Sequence, residues 1–303
     1  MNKMADTSSI LKFLFTVSKL LGLFPFEFVG EKGNFHLKST RRSFGIYVFV
    51  FLIIMSGNIL FHLHFTINHL QDFTSVSTVV VAVVNVLYLI CYLMIVVSLI
   101  LSKNNFTFIL KQFSTQSNML KDSQMKSYIV FQLFLSIFQL SLSGYLSTLH
   151  LLHKKQKIGV YILSFTTFLI HIGRIQFTTL LHLTKCHFNH INSELDILAK
   201  KLDILQTSSS VDKNLKSLVS THNIMCTING SISSIYSPFI TLYIIYWVFF
   251  SIFSFFFVII KSLTELSEFS SLFFYNNLIC CFSELLLVAF TCSSTQHEVS
   301  PIH

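Results

Sequence analysis

Six long apolar stretches fill the chain, and its lysines and arginines lie almost wholly on one side of them. The stretches occupy residues 44–67, 76–101, 128–152, 158–183, 238–260 and 272–290. Each approaches or exceeds the ~20 residues that an α-helix needs to cross a ~30 Å hydrocarbon layer. The first, third and fifth segments between them carry seven, four and five Lys or Arg, while the second, fourth and sixth carry none, three and one. Arg174 alone sits inside a stretch. Basic residues stay on the cytoplasmic side, so sixteen against four puts the N-terminus inside.

Composition bounds the class. Hydrophobic residues make up 52% of the chain and charged ones 11%, well under the ~25% charged residues of a soluble domain. The expectation is one all-α polytopic membrane protein with six transmembrane helices and both termini cytoplasmic. Residues 1–43 would form a cytoplasmic segment, 44–291 the transmembrane domain and 292–303 a short cytoplasmic tail. A β-barrel would alternate in short segments of about ten residues, and this pattern is absent. The net charge of +8 follows from juxtamembrane anchoring and implies no nucleic-acid partner.

Residues 1–28 contain an apolar run, but Lys12 and Lys19 interrupt it and no small-residue cleavage site follows, which disfavours a signal peptide. Leu11, Phe13, Leu14, Phe15, Leu20, Leu21 and Phe24 suit an interfacial helix with snorkelling lysines, stopped by Pro25. The cysteines, Cys91, Cys186, Cys226, Cys280, Cys281 and Cys292, fall in spans or cytoplasmic segments. Neither a structural disulfide nor a zinc site is expected of them, and no cofactor or metal is implied.

Two segments are short links, 68–75 and 153–157, whereas 102–127 and 184–237 are long. In the second long segment Ile191, Leu195, Leu198 and Leu202 recur at helical spacing, and Leu215, Leu218, Val219 and His222 resume it after the serines at 208–210. That periodicity predicts helices that extend spans four and five into the cytoplasm. Few Gly and Pro residues argue against transporters built on broken helices. The sequons at Asn105 and Asn229 would be cytoplasmic and unused.

Charge within a span is expensive, about 2.5–3.5 kcal/mol on insertion scales, so Arg174 and Glu284 stand out. They either meet as a pair near a polar cavity or snorkel separately. His171 lies one turn from Arg174, and Tyr145, Thr148 and His150 end span three. Tyr243, Tyr246, Trp247 and Phe250 form an aromatic stripe on span five. Aromatics with a few convergent polar groups suit a small-molecule pocket, although single aromatics in a chain with 34 Phe also pack or face lipid. The histidine groups His62, His64, His69 and His182, His187, His190 read as interfacial rather than metal-binding. No nucleophile elbow, paired carboxylates or Gly-rich phosphate loop points to an enzyme, and no run of arginines points to a voltage sensor.

Several short runs resemble the insect gustatory receptor family, part of a seven-span chemoreceptor superfamily. They are Leu21-Gly22-Leu23-Phe24-Pro25-Phe26 before the first span and Phe188-Asn189-His190-Ile191-Asn192-Ser193-Glu194-Leu195 after the fourth. Residues 215–239, with His222, Ile228, Asn229 and Pro238, and residues 292–298 complete the likeness. An inside N-terminus, the reverse of a G-protein-coupled receptor, agrees with it. The resemblance implies a taste receptor subunit for a small-molecule tastant, in its full-length form a homo- or hetero-tetrameric ligand-gated cation channel, in the plasma membrane of a sensory neuron dendrite. The family's seventh span lines the pore, starting with Thr-Tyr and ending in Gln-Phe. Its absence here suggests a chain truncated before that span, through splicing, a pseudogene or a gene-model error. The alternatives are a six-span transporter and a non-conducting accessory membrane protein.

Span directions then suggest a pocket in the outer half of the bilayer. Tyr145, Thr148 and Tyr161 would lie near the exofacial surface, His171 about 20 Å down from the start of its span at 1.5 Å per residue, and Trp247 and Phe250 near mid-depth. Tyr145, His171 and Trp247 are the expected ligand contacts, with Arg174 and Glu284 paired as the floor. Such walls suit an apolar or weakly polar tastant.

Overall fold

A computed structural model of the chain describes residues 101–115, 157–204, 209–263 and 268–299 continuously. It also describes residues 15, 16, 18, 19, 27–29, 36–38, 53, 57, much of 83–100 and most of 127–145. The long helices carry described side chains over 170–200, 211–256 and most of 275–299. Nearly all of the first apolar stretch, the links 68–75 and 153–156, Thr148 and residues 300–303 lie outside the described residues.

Pro25 cannot continue a helix, and just beyond it the chain forms a small antiparallel hairpin of β1 (Glu27–Val29) and β2 (His36–Lys38). Its register pairs Glu27 with Lys38, Phe28 with Leu37 and Val29 with His36. This hairpin departs from the all-α expectation. Everything else described is helical or turn.

The helices that follow include α1 (Lys103–Thr115), α2 (Val130–Gln139), α3 (Lys157–Ile204), α4 (Ser209–Leu263) and α5 (Glu268–Val299). Backbone bonds from Ser102 N to Ser98 O (3.0 Å) and Phe106 N to Ser102 O (2.9 Å) carry the helix before α1 straight into it. α3 has 48 residues and α4 has 55, which is about 70 and 80 Å at 1.5 Å per residue. Both are more than twice a hydrocarbon thickness. α4 runs through Pro238, whose missing N–H leaves the Ser234 carbonyl without its helical donor. At the start of α4, Asp212 complements the helix dipole and pairs with Lys216 at 2.7 Å on an exposed face.

Two described runs, Val211–Phe256 and Leu278–Val299, are long and apolar enough to cross a membrane. Polarity is inverted around them. α2 buries Gln132, Ser136 and Gln139 and exposes Val130, Phe131, Phe134, Ile137 and Phe138. α5 buries Glu284, Thr291 and Thr295 and exposes Tyr275, Ile279, Phe282, Leu286 and Phe290. In water such a surface would forfeit about 1.5–3 kcal/mol for each large apolar side chain left out. Against lipid tails it costs nothing, and the polar groups find partners inside.

α3, α4 and α5 pack on one another, and α1 packs on α4 and β2. α3 is the central helix: all but one of residues 170–184 are buried. Gly173 permits this, because a Cβ there would overlap Ile95 Cδ1 and sit 3.2 Å from Phe239 Cζ. Of the four described residues in the segment before the hairpin, Phe15 and Ser18 face protein while Thr16 and Lys19 are exposed. Phe15 is buried edge-on against Phe106 of α1 (5.1 Å, 82°), and the buried Ser18 Oγ accepts from Gln176 Nε2 of α3 at 2.6 Å.

Candidate functional site

An arginine in an apolar helix must satisfy five N–H donors without water. Arg174, fully buried on α3, finds partners for its three nitrogens on two helices. Its Nε lies 2.6 Å from Glu284 Oε2 of α5. Nη1 donates to Gln132 Oε1 at 2.6 Å and Nη2 to Ser136 Oγ at 2.8 Å, both on α2. Glu284, equally buried, accepts a further bond from Tyr243 Oη of α4 at 2.6 Å, and His171 Nδ1 stands 3.4 Å from its Oε1. Two charges in a low-dielectric interior hold only when paired and hydrogen-bonded, and here four helices share that task.

One turn away, Trp247 gathers an aromatic shell. His171 lies 6.0 Å from it at 47°, Tyr243 5.9 Å at 77°, Tyr246 5.2 Å at 66° and Phe250 5.9 Å at 78°. These tilted and edge-on rings match the geometry that aromatic quadrupoles prefer. α3 and α4 run antiparallel, so residues a turn apart on one meet residues a turn apart on the other. Tyr243 therefore belongs to the charged pair and Trp247 to His171.

The structure thus brings together His171, Arg174, Trp247, Phe250 and Glu284. Tyr145 is 62% exposed, so its ring is not enclosed with them. Tyr161 lies on α3 with its side chain outside the described residues, as is all of Thr148. Sequence reasoning overlooked Gln132, Ser136 and Gln139, although their i, i+4, i+7 spacing in an apolar stretch marks one polar helix face. Gln139 Nε2 donates to Ser283 Oγ of α5 at 2.8 Å, and Ser283 donates on to the Cys280 carbonyl at 2.8 Å. Gln132 Nε2 and Gln139 Oε1 are buried without a hydrogen-bond partner among the described residues.

A second set of contacts ties the far end of α5 to α3 and to the start of the α2 stretch. Asn192 Nδ2 donates to the Glu298 carbonyl at 3.0 Å, and Thr295 Oγ1 to the Leu181 carbonyl at 3.5 Å. Tyr128 Oη lies 3.5 Å from Thr291 Oγ1 and stacks on His182 at 4.0 Å. Beyond it His187 is buried and stacked on Phe113 of α1 at 5.6 Å and 18°. Burial, and then the charge of His190, lowers the His187 pKa to about 4. Among the described residues no three His, Cys, Asp or Glu side chains gather as metal ligands.

Set against known proteins, residues 11–300 match the family model described as 7tm Chemosensory receptor. No curated protein matches the chain.

Proposed function

Because the chain belongs to the 7tm chemosensory receptor family, we propose that it is a taste receptor subunit that binds a small-molecule tastant within its helix bundle. The observation that carries this reading is the His171–Trp247–Phe250 aromatic shell standing one turn from the neutralised Arg174–Glu284 pair. A closed apolar wall with a few polar groups at its base is what a small organic ligand needs. His171 and Trp247 are the contacts, Phe250 completes the wall, and Tyr145, Thr148 and Tyr161 belong to its outer mouth. An exposed Tyr145 ring can line an open mouth, though not an enclosed wall. Arg174 and Glu284 hold the floor and leave the ligand uncharged surroundings.

The inverted polarity of α2 and α5 supports six membrane-spanning helices, with the N-terminus cytoplasmic by the distribution of Lys and Arg. On this reading the receptor sits in the plasma membrane of a sensory dendrite and gates cations as a tetramer with like subunits. Co-expression with such subunits tests it. Tastant-evoked current should appear, and His171→Ala or Trp247→Ala should move the dose–response midpoint at unchanged surface level. Unmoved midpoints in both variants would remove the pocket. Current modulated by the chain with no ligand response of its own would make it an accessory subunit.

A further inference from the structure

The two glutamines on the inner face of α2 are each half satisfied, and in a fixed sense. Gln132 gives its carbonyl oxygen to Arg174 Nη1, which can only donate, so its amide nitrogen must point elsewhere. Gln139 spends its nitrogen on Ser283 Oγ, whose own hydrogen is committed to the Cys280 carbonyl, so its oxygen must point elsewhere. The amide orientations are therefore set by their neighbours. What remains is one buried donor, Gln132 Nε2, and one buried acceptor, Gln139 Oε1. Both side chains are more than nine-tenths buried. Seven helical residues separate them, or roughly 10 Å along α2.

Leaving such groups unpaired is costly, so the seam has a standing demand for a partner. An ion would not meet it. The charges of Arg174 and Glu284 already cancel, and a third charge would be buried uncompensated.

We infer that the seam between α2 and α5 binds an uncharged small molecule carrying a hydrogen-bond acceptor and a hydrogen-bond donor roughly 10 Å apart. Gln132 Nε2 donates to the acceptor, and Gln139 Oε1 takes the donor. This deepens the receptor reading and rests on it. It makes specificity a matter of matched polar ends rather than of aromatic walls alone.

Trp247, the chain's single tryptophan, reports from the neighbouring turn. The test uses the full chain in lipid nanodiscs and four probes. One is a linear nine-carbon hydroxyketone with its hydroxyl and its methyl ketone at opposite ends. Nonanone lacks the hydroxyl, nonanol lacks the carbonyl, and ω-hydroxynonanoate carries a charge. The hydroxyketone should change Trp247 emission saturably and bind about tenfold more tightly than nonanone or nonanol, the size of one buried hydrogen bond. The hydroxynonanoate should not bind. Gln139→Leu, which spares Arg174, should erase the preference over nonanone and keep the preference over nonanol. Gln132→Leu should do the reverse. Equal affinities for the three neutral probes would mean that the glutamines are met by ordered water only. That result overturns this proposal and leaves the receptor reading standing. Absence of any saturable response to a neutral probe overturns this proposal too, and the receptor reading then rests on the tastant-evoked currents alone.

Discussion

At Glu284, losing a charge and losing a side chain have separable consequences. Glu284→Gln keeps the shape but leaves Arg174 buried without its counter-ion, which should cost about 3–5 kcal/mol. Thermal inactivation in detergent should show it as a large fall in midpoint. Replacing both partners, Arg174→Met with Glu284→Leu, removes the charges together and should recover most of that loss. If the double variant is as weak as the single one, the pair does more than neutralise itself. Gly173→Ala tests packing instead. Its methyl must displace Ile95 or Phe239, at about 1–3 kcal/mol, and Ile95→Ala in the same chain should relieve it. The charged pair was legible in the sequence because an ion within an apolar stretch is too costly to be casual. Gln132 and Ser136 escaped notice because uncharged polar residues are cheap enough there to pass as packing. Only the fold shows that they complete the guanidinium's partners.

α3 carries the clearest consequence at the scale of an element. His187 is held neutral by burial, with its pKa lowered from 6.5 to about 4. Above pH 6.5 both folded and unfolded chains leave it unprotonated. Between 6.5 and about 4 only the unfolded chain takes the proton, so folding stability must fall as the pH drops through that window. The loss should reach roughly 1 kcal/mol near pH 5.5. His187→Phe, which keeps the stack on Phe113, should flatten that part of the profile, and an unchanged slope would place the titration elsewhere. The length of α3 could be read beforehand from the spacing of Ile191, Leu195 and Leu198, because a helix that buries one side must repeat it. The hairpin of β1 and β2 was not legible, since three-residue strands leave no period to detect. Leu215 and Val219 continue the helical spacing on α4, yet they are 40% and 49% exposed. Periodicity reveals that a face exists without revealing what covers it.

At the scale of the whole molecule, the apolar outer faces of α2 and α5, with their polar groups turned inward, make topology the property most open to test. On the proposed orientation Asn105 on α1 and Asn229 on α4 face the cytosol, so their sequons should gain no glycan in microsomes. A mass shift abolished by Asn105→Gln or Asn229→Gln would invert the arrangement. The apolar runs of α4 and α5 were legible because a hydrocarbon layer imposes a minimum length on any helix that crosses it. How those helices pair was not, since lipid tails resemble leucine and the choice of neighbour falls to sparse polar contacts.

Those contacts also set an order of manufacture. Arg174 leaves the ribosome well before Glu284, with all of α4 still to be made between them. At about 5–20 residues per second, the arginine waits on the order of ten seconds for its counter-ion. A helix destined to be buried on every side cannot rest comfortably in lipid during that interval. On the proposed topology α3 would linger at the insertion machinery, or lean on Gln132 and Ser136 of the already synthesised α2, until α5 arrives to release it.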